Sequence, residues 1–211
     1  MKYIYIILSK TPSKFGKTIR FILNNNYNHI SISLDNLKTI YSFGRRKNTM
    51  PLDGGFVEEN LLRFNLNKNI EIPCKIYKIS IDDNTYSYLE NKLNEIKNDK
   101  EYMYNLYSAL SFPLSKGFKT YKSFTCVEFG AYILLEANIP LKKEPQKYTP
   151  EELGSELEPY LIYNGDLTKY ETHIKKGDLS YFDKQPYIYK TKTYIYVLFN
   201  ITKRTFCNIK N

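Results

Sequence analysis

The amino-acid sequence predicts an α+β chain whose strands pair antiparallel, and three observations carry that prediction. The run Asn28-His29-Ile30-Ser31-Ile32-Ser33-Leu34-Asp35 alternates apolar and polar residues and is followed, after a short turn, by a second strand-like run, the pattern of a hairpin. Tyr86, Leu89, Leu93 and Ile96 recur three and four residues apart, a helical period. From Phe124 to Leu135 the chain is almost continuously apolar, as expected of a buried helix. At 211 residues, 42% hydrophobic and 16% aromatic, the chain suffices for one domain with a full core.

Met1 to Lys10 contains a short apolar run, but Tyr3 and Tyr5 interrupt it and no small-residue cleavage site follows, so it is expected to be a first strand. Lys14 to Leu23 carries a helical stripe at Phe15, Ile19, Ile22 and Leu23, ended by Asn24-Asn25-Asn26. Strands are expected at His29 to Leu34 and Thr39 to Phe43, with a turn at Asp35-Asn36. In an antiparallel hairpin the start of one strand lies opposite the end of the next, which brings Tyr41, Ser42 and Arg45 within reach of His29. Gly44 through Gly55 forms a polar loop long enough to wall a substrate, and order resumes at Phe56-Val57-Glu58.

Glu71 to Ile79 is a further strand, and Asp82-Asp83 caps a helix that runs to about Asn98. A second helical piece is expected from Tyr102 to about Ser111, before Pro113. The helix opened by Cys126 closes at Ala137-Asn138-Ile139-Pro140, and Thr149-Pro150-Glu151-Glu152 is a capping box with Pro at the first helical position. Tyr187 to Phe199 is β-branched and aromatic, so a late strand or strand pair is expected there. Residues 171–211 are therefore expected to form a C-terminal β extension packed on the main domain.

Lys and Arg number 31 against 22 Asp and Glu, a formal charge of +9 that favours an anionic partner such as nucleic acid, an acidic membrane surface or a cell-wall polymer. The basic residues are scattered, with no block longer than Arg45-Arg46-Lys47 and no nucleic-acid-binding motif, so specific nucleic-acid binding is not expected and an anionic surface is. Three cysteines without a CxxC pair argue against a disulfide framework and against a cysteine-built zinc site. No segment approaches the roughly 18 apolar residues of a membrane span. A cytoplasmic monomer without cofactor or metal is the expectation.

Histidine occurs twice. His29 opens a strand and Cys126 opens a helix, where Thr125 or Ser123 serves as cap and the unpaired backbone N–H groups and helix dipole favour a thiolate. An imidazolium at His29 would lower the thiol pKa further and act as general acid, and the Cys126 backbone N–H would meet an oxyanion, so the pair points to acyl transfer. Each residue taken alone fits an ordinary buried role. Cys74 lies inside a strand pattern, Cys207 in a polar tail and His173 in a charged connecting segment, and none of these suggests chemistry. Glu128, two positions past Cys126, points to a different helix face and is expected to be a buried structural partner rather than a base.

These residues resemble the circularly permuted papain-like hydrolases of the NlpC type, a group with bacterial and poxviral members and relatives of lecithin retinol acyltransferase. The resemblance spans residues 1–170 and rests on Tyr27-Asn28-His29-Ile30-Ser31-Ile32, Tyr41-Ser42-Phe43-Gly44-Arg45, Gly54-Gly55-Phe56-Val57-Glu58 and Phe124-Thr125-Cys126-Val127-Glu128-Phe129. Tyr148-Thr149-Pro150 and Ile162-Tyr163-Asn164-Gly165-Asp166-Leu167 add support. It implies an α+β fold with an antiparallel sheet packed against the nucleophile helix. It also implies hydrolysis or acyl transfer at amide, ester or thioester bonds, with a peptide, peptidoglycan-like or acyl-lipid substrate. By that implication Cys126 is the nucleophile and His29 the base. A third polar residue orients the imidazole in such proteins; with no His, Asn or Gln at the expected positions, Ser42 takes that role, or else Tyr41. Tyr41, Arg45 and Glu128 complete the candidate site. The alternative function is a non-catalytic module on the same scaffold that recognises an anionic ligand.

Overall fold

A computed structural model describes residues 1–23, 25–170 and 174–206, in a mixed α and β arrangement. Strand β1 (Lys2–Ser9) leads to helix α1 (Lys14–Leu23), followed by β2 (His29–Ser33), β3 (Ile40–Arg45), β4 (Gly54–Glu59) and the short helix α2 (Leu61–Asn65). Then come β5 (Pro73–Ile81), α3 (Asp83–Asn98), the two-residue β6 (Met103–Tyr104), α4 (Leu106–Ser115) and the two-residue β7 (Ser123–Phe124). Helices α5 (Cys126–Glu136) and α6 (Pro150–Glu156), strand β8 (Leu161–Asp166) and helix α7 (Tyr187–Phe206) complete the described residues.

Among the described residues six strands form one sheet in the order β4-β3-β2-β1-β5-β8, every neighbouring pair antiparallel. Strand β1 is central and apolar on both faces. Ile4, Ile6 and Leu8 pack with Ile30, Ile32 and Phe43 against α3 and α5, whereas Tyr5 and Ile7 join Phe64, Cys74 and Ile76 in a second core across the sheet. The period of two thus fills both faces, which is why β1 reads as a continuous apolar run.

Helix α5 is apolar all round because it is the centre of the first core, with Phe129, Ile133 and Leu134 fully buried. Each such side chain contributes roughly 1.5–3 kcal/mol relative to exposure. The helix approaches β2 closely: a Cβ on Gly130 would stand 2.5 Å from Ile30 Cγ2, so only glycine allows this distance. That contact sets the start of α5 over the start of β2.

Three expectations are corrected. Tyr187–Phe206 is a helix, not a strand, so the C-terminal segment is no β extension. Its Lys190 N–H bonds the carbonyl of Pro186, and a proline at the helix entrance suits the first turn, where no N–H is needed. Residues 102–105 are not helical. Tyr104 belongs to β6, and α4 starts later because the Asn105 side chain caps it, accepting from the Ser108 N–H; α4 then runs through Pro113 to a left-handed Lys116. The loop expected from Gly44 to Gly55 is shortened at both ends, since β3 reaches Arg45 and β4 begins at Gly54. The expectations placed on Asn24, His173 and Cys207, and on the side chains of Phe15, Ile19, Ile22 and Leu23, lie outside the described residues.

Candidate active site

His29, the first residue of β2, meets Glu59, the last residue of β4, with Nε2 3.1 Å from Oε1. The two side chains meet over β3 at Gly44, where a Cβ would lie 3.6 Å from Glu59 Oε1 and 3.9 Å from His29 Cε1. Glu59 is held in turn by Arg63, one helical turn further on in α2, whose Nε donates to Oε2 at 2.9 Å. The Arg63 guanidinium is fixed by a hydrogen bond to the Arg45 carbonyl at 2.6 Å and lies 4.2 Å from the centre of the Tyr181 ring. Burial pushes the Glu59 carboxyl up, but the charges and hydrogen bonds of Arg63 and His29 outweigh it and hold the group at about 2. Glu59 is an ionised acceptor for the His29 ring.

Cys126 is the first residue of α5. Thr125 caps the helix by accepting from the Glu128 N–H, and the Glu128 carboxyl accepts from the Thr125 N–H, a complete capping box. Burial raises the Cys126 thiol pKa. A hydrogen bond and charge from His29, and the backbone N–H groups of Ile30 and Val127, act against burial and bring it below the ordinary value. The same pairing acts on the imidazole: burial lowers its pKa, but Cys126 and Glu59 outweigh burial and raise it to about 10. With Nε2 turned to Glu59, Nδ1 is the ring nitrogen left for the sulfur. The pairing shifts both groups toward a thiolate beside an imidazolium.

Two members of this arrangement escape sequence reasoning. Glu59 ends β4 in an acidic pair with Glu58, and nothing in its spacing distinguishes it. Tyr104 reaches Cys126 because β6 pairs parallel with β7, Tyr104 opposite Phe124, two residues before the thiol. Its phenol pKa is driven well above the ordinary value by burial, by the charges of Cys126 and Glu128 and by a hydrogen bond to Cys126, so the hydroxyl stays neutral beside the sulfur.

The other candidates divide. Arg45 borders the cleft that holds His29 and Cys126. Ser42 does not orient the imidazole: it is fully buried and its hydroxyl donates to the Ile30 carbonyl at 2.9 Å. Tyr41 also lies outside the cleft, stacked on Phe56 with centroids 5.3 Å apart. Glu128 does not line the cleft; it is buried at the helix cap, where desolvation raises its pKa to about 8. Cys74 sits within β5 in the second core, where burial first and the charge of Asp166 second push its thiol up to about 12.

The cleft is lined by polar residues at Thr11 and Ser13 ahead of α1 and by apolar residues at Leu106, Ala109 and Phe112 of α4. Tyr181, from the segment before α7, covers the Arg63 end. No group of three or more His, Cys, Asp or Glu that could hold a metal ion occurs among the described residues, and no helix among them is long and apolar enough to cross a membrane. Comparison with protein-family models, with curated proteins and with solved structures gives no match.

Proposed function

We propose that the protein is a cysteine-dependent acyl-group hydrolase or acyltransferase of papain-like chemistry, acting on amide, ester or thioester bonds. The observation that carries this reading is the linked series Cys126, His29, Glu59 and Arg63, which opens onto one cleft. The Cys126 thiolate attacks the substrate carbonyl carbon, forming a C–S bond and placing negative charge on the carbonyl oxygen. The backbone N–H of Cys126, at the helix start, and the neutral Tyr104 hydroxyl, beside the sulfur, donate to that charge. Collapse of the intermediate breaks the bond to the leaving group, which takes its proton from the His29 imidazolium. Water, or a second acyl acceptor, then attacks the thioester while His29 removes its proton, and the acyl group leaves as thiolate re-forms.

Glu59 fixes the ring orientation and stabilises the imidazolium, and Arg63 keeps Glu59 ionised. The reading of a non-catalytic scaffold rests on a missing orienting residue and on the positive charge, and Glu59 beside the His29 ring takes away the first of these grounds. The decisive experiment incubates the full chain with an activated thioester or p-nitrophenyl ester and maps the acyl adduct by mass spectrometry. The expected result is an adduct on Cys126 that is absent from Cys126→Ser and strongly reduced in His29→Ala. Acylation spread equally over the thiols, or unchanged in His29→Ala, would reject the proposal.

A further inference from the structure

Helix α7 buries only one side. Val197 and Ile201 face the protein, while Ile188, Ile195, Phe199 and Phe206, spaced seven, four and seven residues apart, lie on the opposite side, each about two-thirds exposed or more. This outer stripe continues onto α4. The Tyr107 ring packs on Phe206 and its hydroxyl bonds Thr202 at 2.7 Å, and from Tyr107 the α4 surface runs on through the exposed Leu110 and Leu114. Two helices thus present one continuous apolar surface to solvent, larger than scattered exposed side chains would give.

The charge carried by the two helices themselves has one sign. Neither α4 nor α7 contains Asp or Glu. Lys192 and Lys203 flank the α7 stripe and are exposed, and Lys116 and Lys119 follow the end of α4, also exposed. Asp183, the carboxylate just ahead of α7, lies 3.8 Å from Lys47 in an ion pair. Helix α7 is not apolar enough to cross a bilayer, so it suits a position along the surface.

We propose that the joined outer faces of α4 and α7 dock on an anionic phospholipid bilayer, with the apolar stripe in the acyl-headgroup boundary and the lysines on the acidic headgroups. The charge selects this occupant over two others. A second copy would set these lysines against their own kind with no carboxylate on either helix, and a nucleic acid would press phosphates on the apolar stripe. The proposal is independent of the catalytic reading.

Vesicle co-sedimentation of the full chain tests it, comparing phosphatidylcholine alone with equal parts phosphatidylcholine and phosphatidylglycerol. The expected result is binding to the anionic vesicles that weakens with salt, with background binding to the neutral ones. Lys192→Gln with Lys203→Gln should weaken partition by about tenfold or more, and Ile195→Ser with Phe199→Ser should reduce it to background. Cys126→Ala should bind like the parent, which separates this result from any failure of the catalytic reading. Because the chain has no tryptophan, Phe199→Trp supplies a single fluorophore whose emission should shift to the blue on anionic vesicles only, without removing an apolar side chain. Equal binding to both vesicle types, binding retained by the Ile195→Ser, Phe199→Ser pair, or an unshifted indole emission from the Phe199→Trp variant would overturn the proposal. So would a dimer that Ile195→Ser dissociates together with no vesicle binding, which would assign the stripe to a second copy.

Discussion

Cys126 and Cys74 are both buried thiols, one on each side of the same sheet, and their chemistry diverges. Burial raises the pKa of both. At Cys74 the carboxylate of Asp166 adds to burial and takes the thiol to about 12. At Cys126 the helix start and the incoming β2 supply two backbone N–H donors, and the same β2 supplies the imidazole, so burial is overcome. A thiolate in this fold therefore comes from what is aimed at the sulfur, not from exposure.

The largest expected effect is the difference between these two thiols. In the native chain near pH 6, iodoacetamide should alkylate Cys126 at least about a thousandfold faster than Cys74, since a thiol with pKa near 12 is almost wholly protonated there. Peptide mapping by mass spectrometry separates the sites, and denaturation should bring the rates together. His29→Ala leaves burial with less opposition and should move Cys126 toward the behaviour of Cys74. If the two thiols react alike in the folded chain, the contrast is wrong.

Glu59→Gln sharpens the contrast by removing charge two steps from the sulfur. A neutral amide cannot stabilise imidazolium as a carboxylate does, so the Cys126 alkylation rate near neutral pH should fall by about a hundredfold, while Cys74 should not respond. Stability provides a second readout. The Glu59 pKa is depressed from 4.5 to about 2 in the folded chain, so its contribution is full above about pH 4.5 and is lost as pH falls towards 2. His29 is raised from 6.5 to about 10, so its contribution is full below about pH 6.5 and is lost as pH rises through 10. Thermal melts of parent and Glu59→Gln across this range should differ most between those limits. Superimposable melting curves would remove Glu59 from the network.

The order of β1, α1, β2, β3, β5, α3, α5 and α6, the antiparallel hairpin, the Asp82 and Thr149 caps and the positions of His29 and Cys126 are legible in the sequence because each follows from local chemistry: period, capping residue or helix start. Glu59 is hidden there because its role depends on β4 lying beside β3 and only one strand away from β2, a tertiary relation that no local spacing reports. Tyr104 is hidden because a parallel pair of two residues has no pattern to detect. Helix α7 imitates a strand for a geometric reason. Ile195, Val197, Phe199 and Ile201 share one parity, as on a strand face, whereas in the helix Val197 and Ile201 turn inward and Ile195 and Phe199 outward. Pro186 ahead of Tyr187 is the available counter-signal.

The smallest predicted effect tests whether β3 contributes an orienting group at all. Ser42 lies on the strand between His29 and Glu59 in the sheet, where a hydroxyl partner for imidazole is expected from sequence, but its Oγ–H points along the sheet to the Ile30 carbonyl. That bond ties β3 to β2 just beyond His29. Ser42→Ala removes one neutral hydrogen bond in a buried site and should lower stability by about 1 kcal/mol, with the alkylation rate of Cys126 and its pH dependence unchanged. A loss comparable to that of Glu59→Gln would mean that the position of β2, rather than the ionised partner of the ring, controls the thiolate. The two substitutions therefore divide strand placement from charge as the origin of the difference between Cys126 and Cys74.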